Sequence, residues 1–209
     1  MNDFDNVHKG TKTMWKTYLK ISAVRSVIFR PVVLLLARLD ISPDLVSYIG
    51  VISMALFVGF IKFNPGLAFV FFVIGAAIDW VDGPLARYIK KSSDQGKFVD
   101  MTCDSLVFSL FVAGLVFAGV LDGFIGLLLV YFQVMSKIMR VIFNGLDFES
   151  NWHFKAVAGF VPNFIVALLF VAFAVFHFYP FPYFDYLATV FAAWLVLDMA
   201  LFYVRILKR

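Results

Sequence analysis

Four of the five aspartates in the 26 residues "DWVDGPLARYIKKSSDQGKFVDMTCD" (79–104), namely Asp79, Asp82, Asp100 and Asp104, stand at spacings that allow shared chemistry with Arg87. The surrounding chain is among the most apolar a protein can have. Ionised carboxylates in such a setting repel one another and pay a desolvation cost. Protonation would relieve one or two of them; bound divalent cations would relieve all four. Oxygen-only donors suit magnesium, manganese or calcium better than zinc, which prefers nitrogen and sulfur. Two ions are expected, because paired metals recur where phosphoryl groups are transferred. Arg87 adds a second indication. One arginine cannot neutralise four carboxylates, but beside a carboxylate–metal site it can grip a phosphate with two parallel hydrogen bonds. Gly83 and Ala86 leave room for a flat ligand close to the backbone. Gly96 is expected as a loop hinge or a point of close approach.

These residues need two helices to bring them together. At 100° per residue, Asp79 and Asp82 lie about 60° apart around one helix, and Asp100 and Asp104 about 40° apart around the next. The segment Ile89 to Gly96 is expected to return the chain. An antiparallel pair would then set all four carboxylates at a similar depth.

The composition says what medium those helices occupy. Of 209 residues, 62% are hydrophobic, 19% aromatic and 15% charged, with a mean hydropathy of +0.90. So few charges hardly supply the polar shell of a soluble domain, and the class expected is an all-α integral membrane protein. Six spans of about 20 residues are predicted, at 44–62, 66–88, 98–120, 124–144, 156–178 and 185–207. One membrane domain is expected over 1–209, with 1–43 as a cytoplasmic or interfacial segment and 44–209 as the six-helix region. "FNPG" (63–66), "LDG" (121–123) and "YPFPYF" (179–184) provide turns. The polar start and the interruptions at Arg25, Arg30 and Pro31 give no expectation of a cleaved leader. A single cysteine, Cys103, excludes an intramolecular disulfide.

Charge then orients the spans. With six, nearly all the lysines and arginines fall on one side, and Lys62 falls on the other. The positive-inside rule makes that side, both termini and the aspartate cluster cytoplasmic. Lys12, Lys16 and Lys20 share a helix face, and residues 12–39 are expected as one or two interfacial helices on anionic lipid. Ser42 and Pro43 fit a helix N-cap and first turn. Lys137 and Arg140 are candidates for an acceptor's phosphate or carboxylate; the competing reading is that they snorkel to headgroups. Asp198 is a candidate by its place inside a span.

The spacing D-x2-D-G-x2-A-R-x8-G-x3-D-x3-D resembles the signature of the CDP-alcohol phosphotransferases. It is complete here as Asp79, Asp82, Gly83, Ala86, Arg87, Gly96, Asp100 and Asp104. Upstream, "ISPDLVSYIG" (41–50) is similar to that family's "ITPNxxTxxG" segment, with Asp44 in place of asparagine and Ser47 in place of threonine. Beyond residue 105 only the six-span plan is shared. The resemblance implies transfer of a substituted phosphate from a CDP-linked donor to an alcohol, with release of CMP. It implies that Asp79, Asp82 and Asp100 hold Mg2+ or Mn2+. Asp104 would complete that set and act as general base. Arg87 would bind the diphosphate, and Asp79, Gly83, Ala86, Gly96, Pro43 and Ser47 would lie about the CDP donor.

The short six-span chain resembles members that use CDP-diacylglycerol and a small alcohol, the alternative being transfer from CDP-choline or CDP-ethanolamine to diacylglycerol. "ARLDISPDLVSYIG" and "VDMTCD" are similar to segments of the inositol-phosphate-using members. Their basic "KARAE" run is absent; the chain reads "SKIMRVIFNG" and then "NWHFKAVAG" there. By the same resemblance a homodimer is expected, and no nucleic-acid partner. Two other classes also use intramembrane acids. A cation transporter would not need Gly83, Ala86 and Arg87 at fixed offsets. A magnesium-dependent membrane prenyltransferase carries its aspartates on well-separated helices and releases pyrophosphate.

Overall fold

In the computed structural model the chain is described over residues 28–78, 80–89, 94–145, 166–178 and 184–207. Every regular element among them is a helix. In chain order these are α1 (Arg30–Arg38), α2 (Pro43–Phe60), α3 (Pro65–Ile78), α4 (Asp82–Tyr88), α5 (Asp94–Phe117) and α6 (Gly123–Gly145), followed by α7 (Val166–Phe178) and α8 (Phe184–Leu207). Among the described residues four segments are long and apolar enough to cross a membrane: Pro43–Phe60, Pro65–Tyr88, Phe98–Phe117 and Phe184–Leu201. The other two predicted spans coincide with shorter apolar helices, Gly123–Met139 and Val166–Phe178. In the first of these the apolar run stops just before Arg140. Residues 1–27, with Lys12, Lys16 and Lys20, lie outside the described residues.

Local chemistry sets the helix ends. Ser42 caps α2 by accepting from the Leu45 N–H at 3.2 Å, and Pro43 takes the first helical position. Asn64 does the same for α3, accepting from Leu67 N–H at 3.1 Å. Asp122 accepts from the N–H groups of Phe124 and Ile125 at the start of α6, and its own N–H donates to Asp185 Oδ1 at 2.9 Å. That last bond ties the start of α6 to the start of α8. At the end of α1, Ile41 N–H reaches Leu36 O and Asp40 N–H reaches Ala37 O, with Asp40 in the left-handed region at φ 53. This is a Schellman closure with aspartate where glycine is usual.

The main core is aromatic. Phe111 on α5 is fully buried. Its ring centroid lies 4.7 Å from Phe170, 5.4 Å from Phe72, 5.5 Å from Phe173 and 6.1 Å from Phe57. Four helices therefore meet on one ring. In lipid such a core is held by close packing more than by exclusion of water. Helices α2 and α3 approach most closely at Gly50 and Gly75. A Cβ on Gly75 would stand 3.1 Å from Met54 Cε and 3.3 Å from Gly50 O. A smaller cluster of Val33, Val46, Val81 and Leu85 packs α1 and α2 against α4.

Two details of the predicted hairpin change. The span predicted at 66–88 falls on the apolar segment Pro65–Tyr88, but residues 80 and 81 within it form a turn between α3, described to Ile78, and α4, from Asp82. Between them Trp80 N–H bonds Ala77 O and Val81 N–H bonds Ile78 O. This three-residue pattern tightens the turn that leads into α4. The return between the helices is also shorter than predicted. Helix α5 already begins at Asp94, which places Gly96 inside its first turn and not in a loop.

Candidate active site

The break between α3 and α4 puts Asp82 at the first position of a new short helix, facing inward. It is 5% exposed. Each of its oxygens has a protein donor. Gly83 N–H donates to Oδ1 at 2.6 Å, and the Ser47 hydroxyl of α2 donates to Oδ2 at 3.0 Å. The Ser47 hydroxyl also lies 3.3 Å from Pro43 O, one turn back on its own helix.

Asp82 and Asp104 line one small cavity between α2, α3, α4 and α5, together with Ser47, Gly50, Gly75, Ile78, Cys103 and Val107. The two glycines leave its α2–α3 wall bare. Asp104 is half-buried on α5, and Asp100 is half-buried one turn earlier on the same helix. Asp100 is not part of that cavity's lining. Arg87 is exposed in the last turn of α4, and Gly83 and Ala86 are half-buried on the same helix. Pro43 is half-buried at the start of α2. Asp79 lies outside the described residues, as do Lys155 and the side chain of Arg140.

The feature missed by the sequence reading is on α6. Lys137 is buried, and its Nζ lies 3.6 Å from Asp104 Oδ2. It therefore does not extend to the headgroups, as the snorkelling reading had it. It also gives the carboxylates a second cation beside Arg87. Gln133 and Ser136 are buried on the same side of α6, one turn and one residue before it. Polar residues at i, i+3 and i+4 within an apolar helix were a visible signal of an inward-facing stripe. Asp198 is half-buried on α8.

The donor set fits a hard divalent cation. Two carboxylates and a hydroxyl border a cavity with room, about 10 Å³, for a water-sized particle. Among the described residues no three His, Cys, Asp or Glu side chains form a complete cage. Magnesium does not need one, because it commonly rests on one or two carboxylates and takes its other ligands from water and substrate phosphates.

Comparison with known proteins bears on this geometry. An uncharacterized protein of Aquifex aeolicus (strain VF5) is 32% identical over 78 residues, which are 37% of this chain and 40% of that relative's length. No solved structure matches. The sequence model of the CDP-alcohol phosphatidyltransferases, whose members transfer substituted phosphate groups, matches residues 40–202. That range takes in every helix from α2 to α7 and most of α8, and with them the cavity and both of its carboxylates: the chain belongs to the CDP-alcohol phosphatidyltransferase family.

Proposed function

We propose that this chain transfers a substituted phosphate, phosphatidyl in the case of a CDP-diacylglycerol donor, to an alcohol and releases CMP, as a step of phospholipid synthesis. The observation that carries the reading is the meeting of Asp82 and Asp104, from two helices, in one polar cavity inside a membrane domain. A transporter pathway or a structural ion pair would account for buried carboxylates. Neither would account for the full spacing that runs from Asp79 through Arg87 to Asp104 in a chain of this family.

In this reading Asp79, Asp82, Asp100 and Asp104 hold Mg2+ or Mn2+, two ions when the donor is bound. Such ions, when bound, polarise the diphosphate and stabilise the charge on the departing CMP. The chain's own residues do the rest. Arg87, exposed at the end of α4, closes on the diphosphate with its planar fork. Gly83 and Ala86 let the nucleotide approach the α4 backbone, with Gly96, Pro43 and Ser47 about it. Asp104 takes the proton of the attacking hydroxyl, a role that requires hydrogen-bond reach of that oxygen. Lys137, already beside Asp104, and Arg140 would draw in an acidic group on the acceptor.

Six spans with both termini cytoplasmic put the site at the cytoplasmic surface. The outward apolar stripe of Ile28, Val32, Leu35 and Leu39 on and around α1, beside the exposed Arg30 and Arg38, suits a helix seated on anionic headgroups. A homodimer completes the proposal. The test is CMP release by the protein reconstituted in lipid, measured against a panel of CDP-linked donors and alcohol acceptors. CMP is expected from one donor–acceptor pair, abolished by chelation and restored by Mg2+ or Mn2+. Pyrophosphate as product, or full activity in chelator, would refute the reading.

A further inference from the structure

We infer that Ser47 is a positioning residue: its hydroxyl holds the Asp82 carboxylate in the orientation in which it meets a divalent cation. The inference rests on the metal-dependent reading above and assigns within it a task that direct contact with the donor would not require. Ser47 is 5% exposed, as is Asp82, and the two lie 35 residues apart on α2 and α4.

A serine hydroxyl has one proton to donate. Two acceptors compete for it, Asp82 Oδ2 at 3.0 Å and Pro43 O at 3.3 Å. The second contact is a common habit of serine inside a helix, where the hydroxyl folds back on a carbonyl four residues earlier. Two facts favour the first. It is the shorter, and its acceptor is a buried carboxylate, for which a lost donor costs more than for a neutral carbonyl.

The consequence is geometric. Gly83 N–H fixes Oδ1 from one side and Ser47 fixes Oδ2 from the other. The carboxylate cannot turn about its Cβ–Cγ bond without breaking one of these bonds. Each oxygen keeps further lone pairs for a metal, and the cavity shared with Asp104 is beside them. Outer hydrogen bonds of this kind orient metal-ligating carboxylates, and losing one typically weakens metal binding by about 10–100-fold.

The test uses the whole chain in lipid nanodiscs, with Mn2+ alone as probe and paramagnetic resonance as readout. Ser47→Ala is expected to bind Mn2+ about 10-fold or more weakly, and to unfold a few degrees below the parent in chelator because buried Asp82 loses a donor. Ser47→Thr, which keeps the hydroxyl, is expected to bind Mn2+ within about threefold of the parent. CMP affinity at saturating Mn2+ is measured in both, to separate a loss at the metal from a loss at the nucleotide that Ser47 would also border. Parent-like Mn2+ binding by Ser47→Ala would overturn the inference and leave the metal site standing, and a concurrent loss of CMP affinity would make Ser47 a nucleotide contact instead. Equal weakening by alanine and threonine would also overturn it, since packing would then be at issue. A parent protein that binds no Mn2+ would remove the metal reading itself and this inference with it.

Discussion

The ion pair between α5 and α6 makes a prediction in which metal and lysine compete. Lys137 Nζ lies 3.6 Å from Asp104 Oδ2. Coulomb's law at that distance gives about 5 kcal/mol at an effective dielectric of about 20, and about 1 kcal/mol in water. The Asp104 side chain is 31% exposed, so the interaction lies between those limits, and burial of the ammonium offsets part of it. Lys137→Met should therefore cost about 2 kcal/mol in chelator. At about 2–4 °C per kcal/mol for a chain of this size, the unfolding midpoint should drop by about 4–8 °C. Saturating Mn2+ supplies the missing positive charge at the same carboxylate and stabilises only the folded state. The variant should then recover most of the loss, so that Mn2+ raises its midpoint more than it raises the parent's. Intrinsic tryptophan fluorescence during heating in nanodiscs measures both, without substrate. A loss that stays the same in chelator and in Mn2+ would refute the reasoning, because Lys137 would then be stabilising something other than the charge that a cation meets.

Three further outcomes are expected. Asp104→Asn should keep CDP-donor binding while turnover falls by about 10²–10⁴-fold, the usual worth of a positioned base; partial rescue by excess Mg2+ would identify it mainly as a metal ligand. Arg87→Lys should weaken donor binding, read as a raised KM for the CDP donor, because a point charge does not reproduce a bidentate fork. Asp40→Gly should raise the unfolding midpoint, since glycine adopts φ 53 without the penalty of about 1 kcal/mol that a side chain carries there.

The parts of this site that could be read in the sequence depend on one helix at a time. Asp100 and Asp104 share a face because α5 runs unbroken from Asp94 to Phe117. Ser42 and Pro43 mark the start of α2 because capping is local. The turn into Asp82 was not legible, because two tightened bonds precede α4. What crossed between helices was not legible. Ser47 and Asp82, or Asp104 and Lys137, meet because of how far α2, α4, α5 and α6 rotate and slide in packing. Spacing along the chain carries no record of that rotation. Snorkelling stood as the competing reading for Lys137 because a long side chain near a helix end can always reach headgroups. The buried company of Gln133 and Ser136 on its own helix argued otherwise.

The charge balance of the cluster connects these contacts to the proposed chemistry. A carboxylate inside a membrane domain must be compensated. Asp82 has two donors, Ser47 and Gly83, and Asp104 has the ammonium of Lys137. Hydrogen bonds reduce the desolvation cost of a carboxylate without cancelling its charge. Counting formal charges, Asp79, Asp82, Asp100 and Asp104 bring −4, and Arg87 and Lys137 bring +2, so −4 + 2 leaves −2. One divalent cation balances that. A second would exceed it unless more negative charge enters, and a CDP-linked donor carries that charge in its diphosphate. In the proposed reading these six side chains are thus matched to one ion, and the donor would complete the electrostatics of a pair. Arg87 stands at the exposed end of α4 and Lys137 behind Asp104 on α6. In the proposed reading, either one moved into the cavity beside Asp82 would occupy the position that a metal ion needs.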